Sequence, residues 1–164
     1  MNISISIVLI STSIFLYGCT RATESMLPAE VSEVEFSAPE GKTGWSKYEH
    51  IETFHGYDVD QIYEAAKVGL GSAGFSLIRA DKSKGIVIGE HGITLHDWNI
   101  MSGVYFKKVE TATMVKVIVE GSKDTGFSGD VTSDGWSGKI LMGMRQYLNA
   151  TYQSILKVNK SDVQ

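Results

Sequence analysis

Three features of this sequence predict an α+β fold. Short apolar runs recur through the middle of the chain, turn residues separate them, and an amphipathic segment lies at each end of the series. The expected order is β-α-β-β-β-β-α, an antiparallel sheet of about four to six strands with two helices packed on one face. The 164 residues suffice for one domain with appendages and can bury a core without disulfide or metal staples.

Ile51–Phe54 reads as the first strand. The strongest helix signal follows it. Asp58 is placed to cap the N-terminus while Gln61 reaches back, a capping box. Val59, Ile62, Tyr63, Ala66, Leu70 and Ala73 then share one helical face, and Gly74 suits the left-handed residue that ends a helix. Gly69 and Gly71 weaken the last turn, and a strand passing close by would account for them.

Phe75–Arg79 is the next expected strand, Asp81–Gly85 a turn, and Gly85–Glu90 its partner. Ile93–Trp98 is a less regular apolar stretch that Gly92 separates from it. Val104–Phe106 and Val115–Val119 flank a polar turn at Glu110–Thr113 and form a hairpin, with Val115, Val117 and Val119 on one face. A loop rich in Gly, Ser and Asp spans Gly121–Gly135. The last helix covers Trp136–Leu156, with Ile140, Met144, Tyr147, Leu148, Thr151 and Ile155 as its inward stripe.

Composition excludes several functions. The formal charge of −4 leaves no basic stripe to neutralise phosphates, so nucleic acid is not an expected partner. A single cysteine, Cys19, rules out an intrachain disulfide and a multi-cysteine metal site.

The first 18 residues carry no charged side chain, and their Ser and Thr make them a poor permanent membrane span. Length and polarity fit the hydrophobic stretch of a signal peptide, although the usual basic residues near the start are missing. The stretch ends in Leu16-Tyr17-Gly18-Cys19, which resembles the lipobox of bacterial lipoproteins. That resemblance implies cleavage between Gly18 and Cys19 and acylation of the Cys19 thiol. Each buried CH₂ of an acyl chain contributes about 0.8 kcal/mol, so several chains make attachment lasting. Thr20 stands where the enterobacterial form of the family carries an inner-membrane retention Asp, so the expected location is the outer membrane, facing the periplasm.

The expected organisation is a signal peptide over 1–18, a lipidated acidic tether over 19–44, the α+β domain over 45–156 and a tail over 157–164. Pro28, Pro39 and Gly41 punctuate the Glu-rich tether, although the alternation of Val31, Val34 and Phe36 could add an edge strand. The element order, with Ile62-Tyr63-Glu64-Ala65-Ala66 followed by Gly74-Phe75, resembles small Gram-negative lipoproteins of unknown function with a helix-grip-like domain. Accessory lipoproteins of the outer-membrane β-barrel assembly machinery carry comparable domains.

Motifs that suggest chemistry fall in the wrong places. Gly69-Leu70-Gly71-Ser72-Ala73-Gly74 matches a dinucleotide fingerprint letter for letter but sits at the end of a helix instead of its start. Gly41-Lys42-Thr43 lacks the earlier glycine of a phosphate loop, with Phe36 in its place. No serine lies in a nucleophile elbow, and Ser137 is explained by a helix start rich in Gly and Ser. Asp124, Asp130 and Asp134 lack calcium-loop spacing.

His50, His55, His91 and His96 lie in the first half of the domain, near Glu90 and Asp97. Within each pair the spacing is odd, which sends the two side chains to opposite faces of an unbroken strand. No metal is expected, with His91 and His96 as weak candidates. Trp45, Trp98 and Trp136 stand at element boundaries, where they either plug the core ends or anchor a partner. No cofactor and no catalysis are expected. The sequence therefore points to a non-enzymatic envelope lipoprotein that binds an envelope protein as an interaction or assembly accessory. The alternative is a periplasmic binder of a small apolar ligand or lipid, with Met101, Met114, Met142 and Met144 lining its cavity.

Overall fold

The computed structural model describes residues 27–43, 47–92, 100–121 and 135–161. The elements are β1 (Gly41–Lys42), β2 (Lys47–His55), α1 (Val59–Ser72), β3 (Ser76–Asp81), β4 (Ile86–His91), β5 (Ile100–Val109), β6 (Ala112–Gly121) and α2 (Gly135–Ser161). They form a six-stranded antiparallel sheet in the order β1-β2-β6-β5-β4-β3. Both helices pack on one face, so the expected class holds, with the two-residue β1 as an additional strand.

β3 to β6 form a meander, and β2 returns alongside β6. Because β2 borders β6 whereas β3 is the far edge of that meander, α1 must cross the sheet to join them. Its start is the expected capping box: Asp58 Oδ1 accepts the Gln61 N–H at 2.8 Å, and the Asp58 N–H donates to Gln61 Oε1 at 2.9 Å. Gly74 takes φ +91° and ends it.

The glycines of α1 have a different cause from the one expected. α2, and not a strand, passes Gly69. A Cβ there would stand 2.6 Å from the Ile140 carbonyl oxygen, whereas one on Gly71 would meet nothing within 4 Å. Gly143 on α2 faces the same crossing, against Gly69 and Ser72. Small residues on both helices let the two backbones approach.

In the β3–β4 turn Asp81 Oδ1 accepts from Ser83 Oγ and the Lys84 N–H. The β5–β6 hairpin is tighter than the sequence suggests. Strand pairing resumes at Ala112, opposite Val109, leaving Glu110 and Thr111 as the turn. Glu110 adopts φ +50° to make it.

The central strands β4, β5 and β6 are buried on both faces. Toward the helices, Val87, Val104, Phe106, Val115, Val117 and Val119 pack with Ile62, Leu70, Ile140, Leu141 and Met144. Toward the far face, Ile86, Ile88, Met101, Tyr105 and Ile118 meet Leu27, Val34 and Phe36. Part of the segment read as a free tether is therefore a strap. It carries one 3₁₀ turn, Val31–Glu33, in place of the strand its alternation suggested. Its apolar residues are held because the central strands leave a second apolar face for them to cover.

The strap is fastened by polar contacts. Tyr105 Oη donates to the Pro28 carbonyl at 3.0 Å, and the Val31 N–H donates to the Lys84 carbonyl at 2.9 Å. Lys116, only 2% exposed, sends its ammonium to the Glu35 carbonyl at 2.7 Å and pairs with Glu49. Glu49 also receives Lys47 at 2.7 Å and the Thr43 hydroxyl at 3.1 Å. Burial, the largest influence on the Glu49 carboxyl, raises its pKa, but hydrogen bonds from Lys116 and Lys47 outweigh it and hold the group below the usual carboxylate value. Burial pushes the Tyr105 phenol far above its ordinary value.

Candidate functional site

The helices and the sheet differ in length, and a groove results. The 27 residues of α2 extend about 40 Å at helical rise, whereas the nine of β2 reach about 30 Å. The inward stripe is packed from Ile140 through Leu148. One turn further on, Thr151 is only half-buried and returns its hydroxyl to the Tyr147 carbonyl at 3.0 Å. Tyr152 and Leu156 are exposed, Tyr152 by 54%. The end of α2 thus overhangs the body.

Beneath the overhang are two adjoining hollows of about 290 and 200 Å³ that share His55, Tyr57 and Leu148. Tyr57, Leu148 and Tyr152 give the groove an apolar lining, and Gln61 and Thr151 add polar groups. Its position depends on the loop after β2. Gly56 turns the chain at φ +78°, and Thr113 Oγ1 donates to the Tyr57 carbonyl at 3.0 Å. On the other wall Arg145 Nε and Nη2 donate to the two Glu52 carboxylate oxygens at 2.7 and 2.5 Å. That two-pronged bond raises the Arg145 pKa above its ordinary value. A wider, shallow depression of about 500 Å³ beside the strap has Val34, Phe36, Lys107 and Met114 among its walls, with the Lys107 ammonium 4.3 Å from the Phe36 ring centre.

Such a groove can take an apolar side chain and offer hydrogen bonds around it. Among the described residues no group of three His, Cys, Asp or Glu side chains could hold a metal.

The residues singled out in the sequence fare differently. Gly18, Cys19, Trp45, His96 and Trp98 lie outside the described residues, as do Asp97, Asp124, Asp130 and Asp134. Trp136 belongs to the helix-side core at 9% exposure, as a plug and not as an exposed anchor. Its ring meets Phe75 edge-on at 5.5 Å and His91 at 4.7 Å, and the Lys139 ammonium covers it at 4.5 Å. His91 is thereby committed to an aromatic cluster, with Nδ1 3.0 Å from the Gly92 carbonyl.

His50 and His55 leave opposite faces of the unbroken β2, as their spacing required. His50 Nδ1 is buried without a hydrogen-bond partner among the described residues. Ser137 is fully buried.

The four methionines do not line one cavity. Met101 and Met114 face the strap, Met144 is buried between helices and sheet, and Met142 is exposed. The groove residues, conversely, were not singled out as a site. Tyr152 and Leu156, apolar and off the inward stripe, were the available signal. Among the described residues no helix is long and apolar enough to cross a membrane.

No protein-family model matches the chain, and no curated protein matches it. Solved structures match at a distance. TTHA0849 from Thermus thermophilus aligns with a TM-score of 0.40 and 9% identity, over 64% of this chain and 98% of that one. Ara h 8.0201 gives 0.38 and 10%, over 63% and 97%. DynU16, from the dynemicin biosynthetic locus, gives 0.40 and 14%, over 65% of this chain but 48% of its own. Similarity at this level concerns coarse architecture only, and the helix-grip-like resemblance extends no further than that.

Proposed function

We propose that this chain is an exported, outer-membrane lipoprotein, anchored through Cys19, whose α+β body is a non-enzymatic docking module. Its partner is a segment of another envelope protein that inserts an apolar side chain into the groove under the α2 overhang. The observation that carries this reading is the pairing of a solid interior with an open apolar groove. Ile62, Leu70, Ile140, Leu141 and Met144 are all at 0% exposure between the helices and the sheet, leaving no room there for a lipid tail. The exposed Tyr152 ring and the Leu148 floor suit a hot-spot contact, with the Arg145–Glu52 pair at the rim.

The test is capture from crosslinked envelopes with the full chain and with Tyr152→Ser. A reproducible partner whose capture falls roughly tenfold in the variant supports the groove. No reproducible partner, or capture that ignores the substitution, overturns it. For the anchor, Cys19→Ala should release the protein from the membrane fraction, and retention there would count against lipidation.

The apolar lining also favours a second reading, a small apolar ligand held in the 290 Å³ hollow, near the lower end of ligand-site volumes. Mass spectrometry of an organic extract of purified protein, showing a stoichiometric small molecule that Tyr152→Ser loses, would select it.

A further inference from the structure

We infer that the groove receives its partner as an added β-strand, whose backbone pairs with the open edge of β2 over residues 51–55. This rests on the docking reading above and adds the conformation that the docked segment must have.

β1 covers only part of that edge. Gly41 pairs with Glu49 and Lys42 with Tyr48, and the Thr43 N–H donates to the Lys47 carbonyl at 3.1 Å. That pairing fixes which residues of β2 turn their backbone groups outward. They are Lys47 and Glu49 and, because β2 runs along β6 without a register shift, also Ile51, Thr53 and His55. The Ile51 N–H accordingly donates outward, to Glu40 Oε1. Beyond it Thr53 and His55 are exposed, and their outward N–H groups have no partner among the described residues.

The chain cannot close this edge by extending β1. One further pairing step would set Pro39, which has no N–H to give, opposite Ile51. Gly41, at φ +99°, turns the chain away instead. The other edge of the sheet is protected, since β3 carries a bulge between Leu77 and Arg79 and the charges of Arg79 and Asp81. Residues 51–55 contain neither Pro nor Lys, and the Glu52 carboxylate is tied to Arg145.

The open edge borders the groove. Thr53 and Phe54 of β2 line the 200 Å³ hollow together with Leu148 and Asn149 of α2. Glu52 and Phe54 turn toward the helices, Glu52 lying opposite the core residue Val115. An added strand therefore sends the side chains opposite Glu52 and Phe54 between β2 and α2, and the alternate ones to the far face. Only an extended backbone presents donors and acceptors at the spacing of Thr53 and His55. Pairing of this kind supplies affinity, and the hollow sets the register by selecting an apolar side chain.

The probe is a fluorescein-labelled heptapeptide that alternates Thr with Val and carries Leu at its centre. It is titrated to millimolar concentration against the full chain in detergent and followed by anisotropy. With Leu in the hollow, the Thr amides face β2 and the Val and Leu amides face solvent. N-methylation of the Thr amides should weaken binding roughly tenfold or more, and N-methylation of the Val and Leu amides less than about twofold. Thr53→Pro removes an outward donor and should weaken binding about as much, with little change in melting temperature. Amide exchange at Thr53 and His55 should slow when the peptide binds. No saturable binding, or equal loss from both methylation patterns, overturns the added strand. If equal loss is accompanied by a further loss on replacing the peptide's Leu by Ser, the groove stands as a side-chain site without the strand. A dimer of the chain alone that Thr53→Pro dissolves assigns the edge to a second copy and also overturns the proposal.

Discussion

Lys116 is the residue on which the far face turns. Its ammonium is buried, and it both pairs with Glu49 and holds the strap through the Glu35 carbonyl. Lys116→Ala should destabilise the protein by about 3 kcal/mol in urea unfolding, because a buried carboxylate loses a partner. Replacing both members, Lys116→Met with Glu49→Leu, should cost less than Lys116→Met alone, since no buried charge is then stranded. Glu49 also sets a pH dependence. Its carboxyl is held below its unfolded value, so its stabilisation is complete above the ordinary carboxylate range and is lost as pH falls through the folded value. Unfolding followed by circular dichroism across that acid range should show stability declining. Glu49→Gln should be less stable at neutral pH but have a shallower acid slope. None of this network was legible from the sequence, where Lys116 stands between the valines of β6 with no signal that its face is covered.

At the scale of elements, the two helices are joined by what they lack. Gly69→Ala places a methyl against the Ile140 carbonyl and should cost about 2 kcal/mol, read as a lower urea midpoint. Gly71→Ala, two residues away and facing open space, should stabilise by about 0.5–1 kcal/mol through helix propensity. Opposite signs from neighbouring glycines would distinguish a packing requirement from a propensity defect. The sequence showed that these glycines were anomalous in a helix but not that α2 was the reason. The capping box at Asp58 and the stop at Gly74 were legible because each depends on residues at most a few positions apart.

For the whole molecule, the strap makes the sheet a filled layer between two apolar surfaces. Phe36→Ala should cost about 3 kcal/mol, comparable to a core truncation between the helices and the sheet, although Phe36 lies in a segment with a tether's composition. Thermal unfolding of this variant beside Tyr152→Ser, which should leave the melting temperature nearly unchanged, separates the residue that holds the fold from the one proposed to bind.

The sequence by itself determined what short-range chemistry can specify: the α+β class, the two ends of α1, the Asp81–Gly85 turn and the face each valine of β6 presents, but not the reach of α2 to Ser161. It also singled out the Leu16-Tyr17-Gly18-Cys19 motif, whose meaning requires no fold. Tertiary structure decided that a polar-looking leader covers a second core, that Trp136 is buried, and that α2 outruns the sheet to leave a groove. Those outcomes depend on which strands become central and where two elements distant in the chain end relative to one another. Local periodicity carries neither quantity.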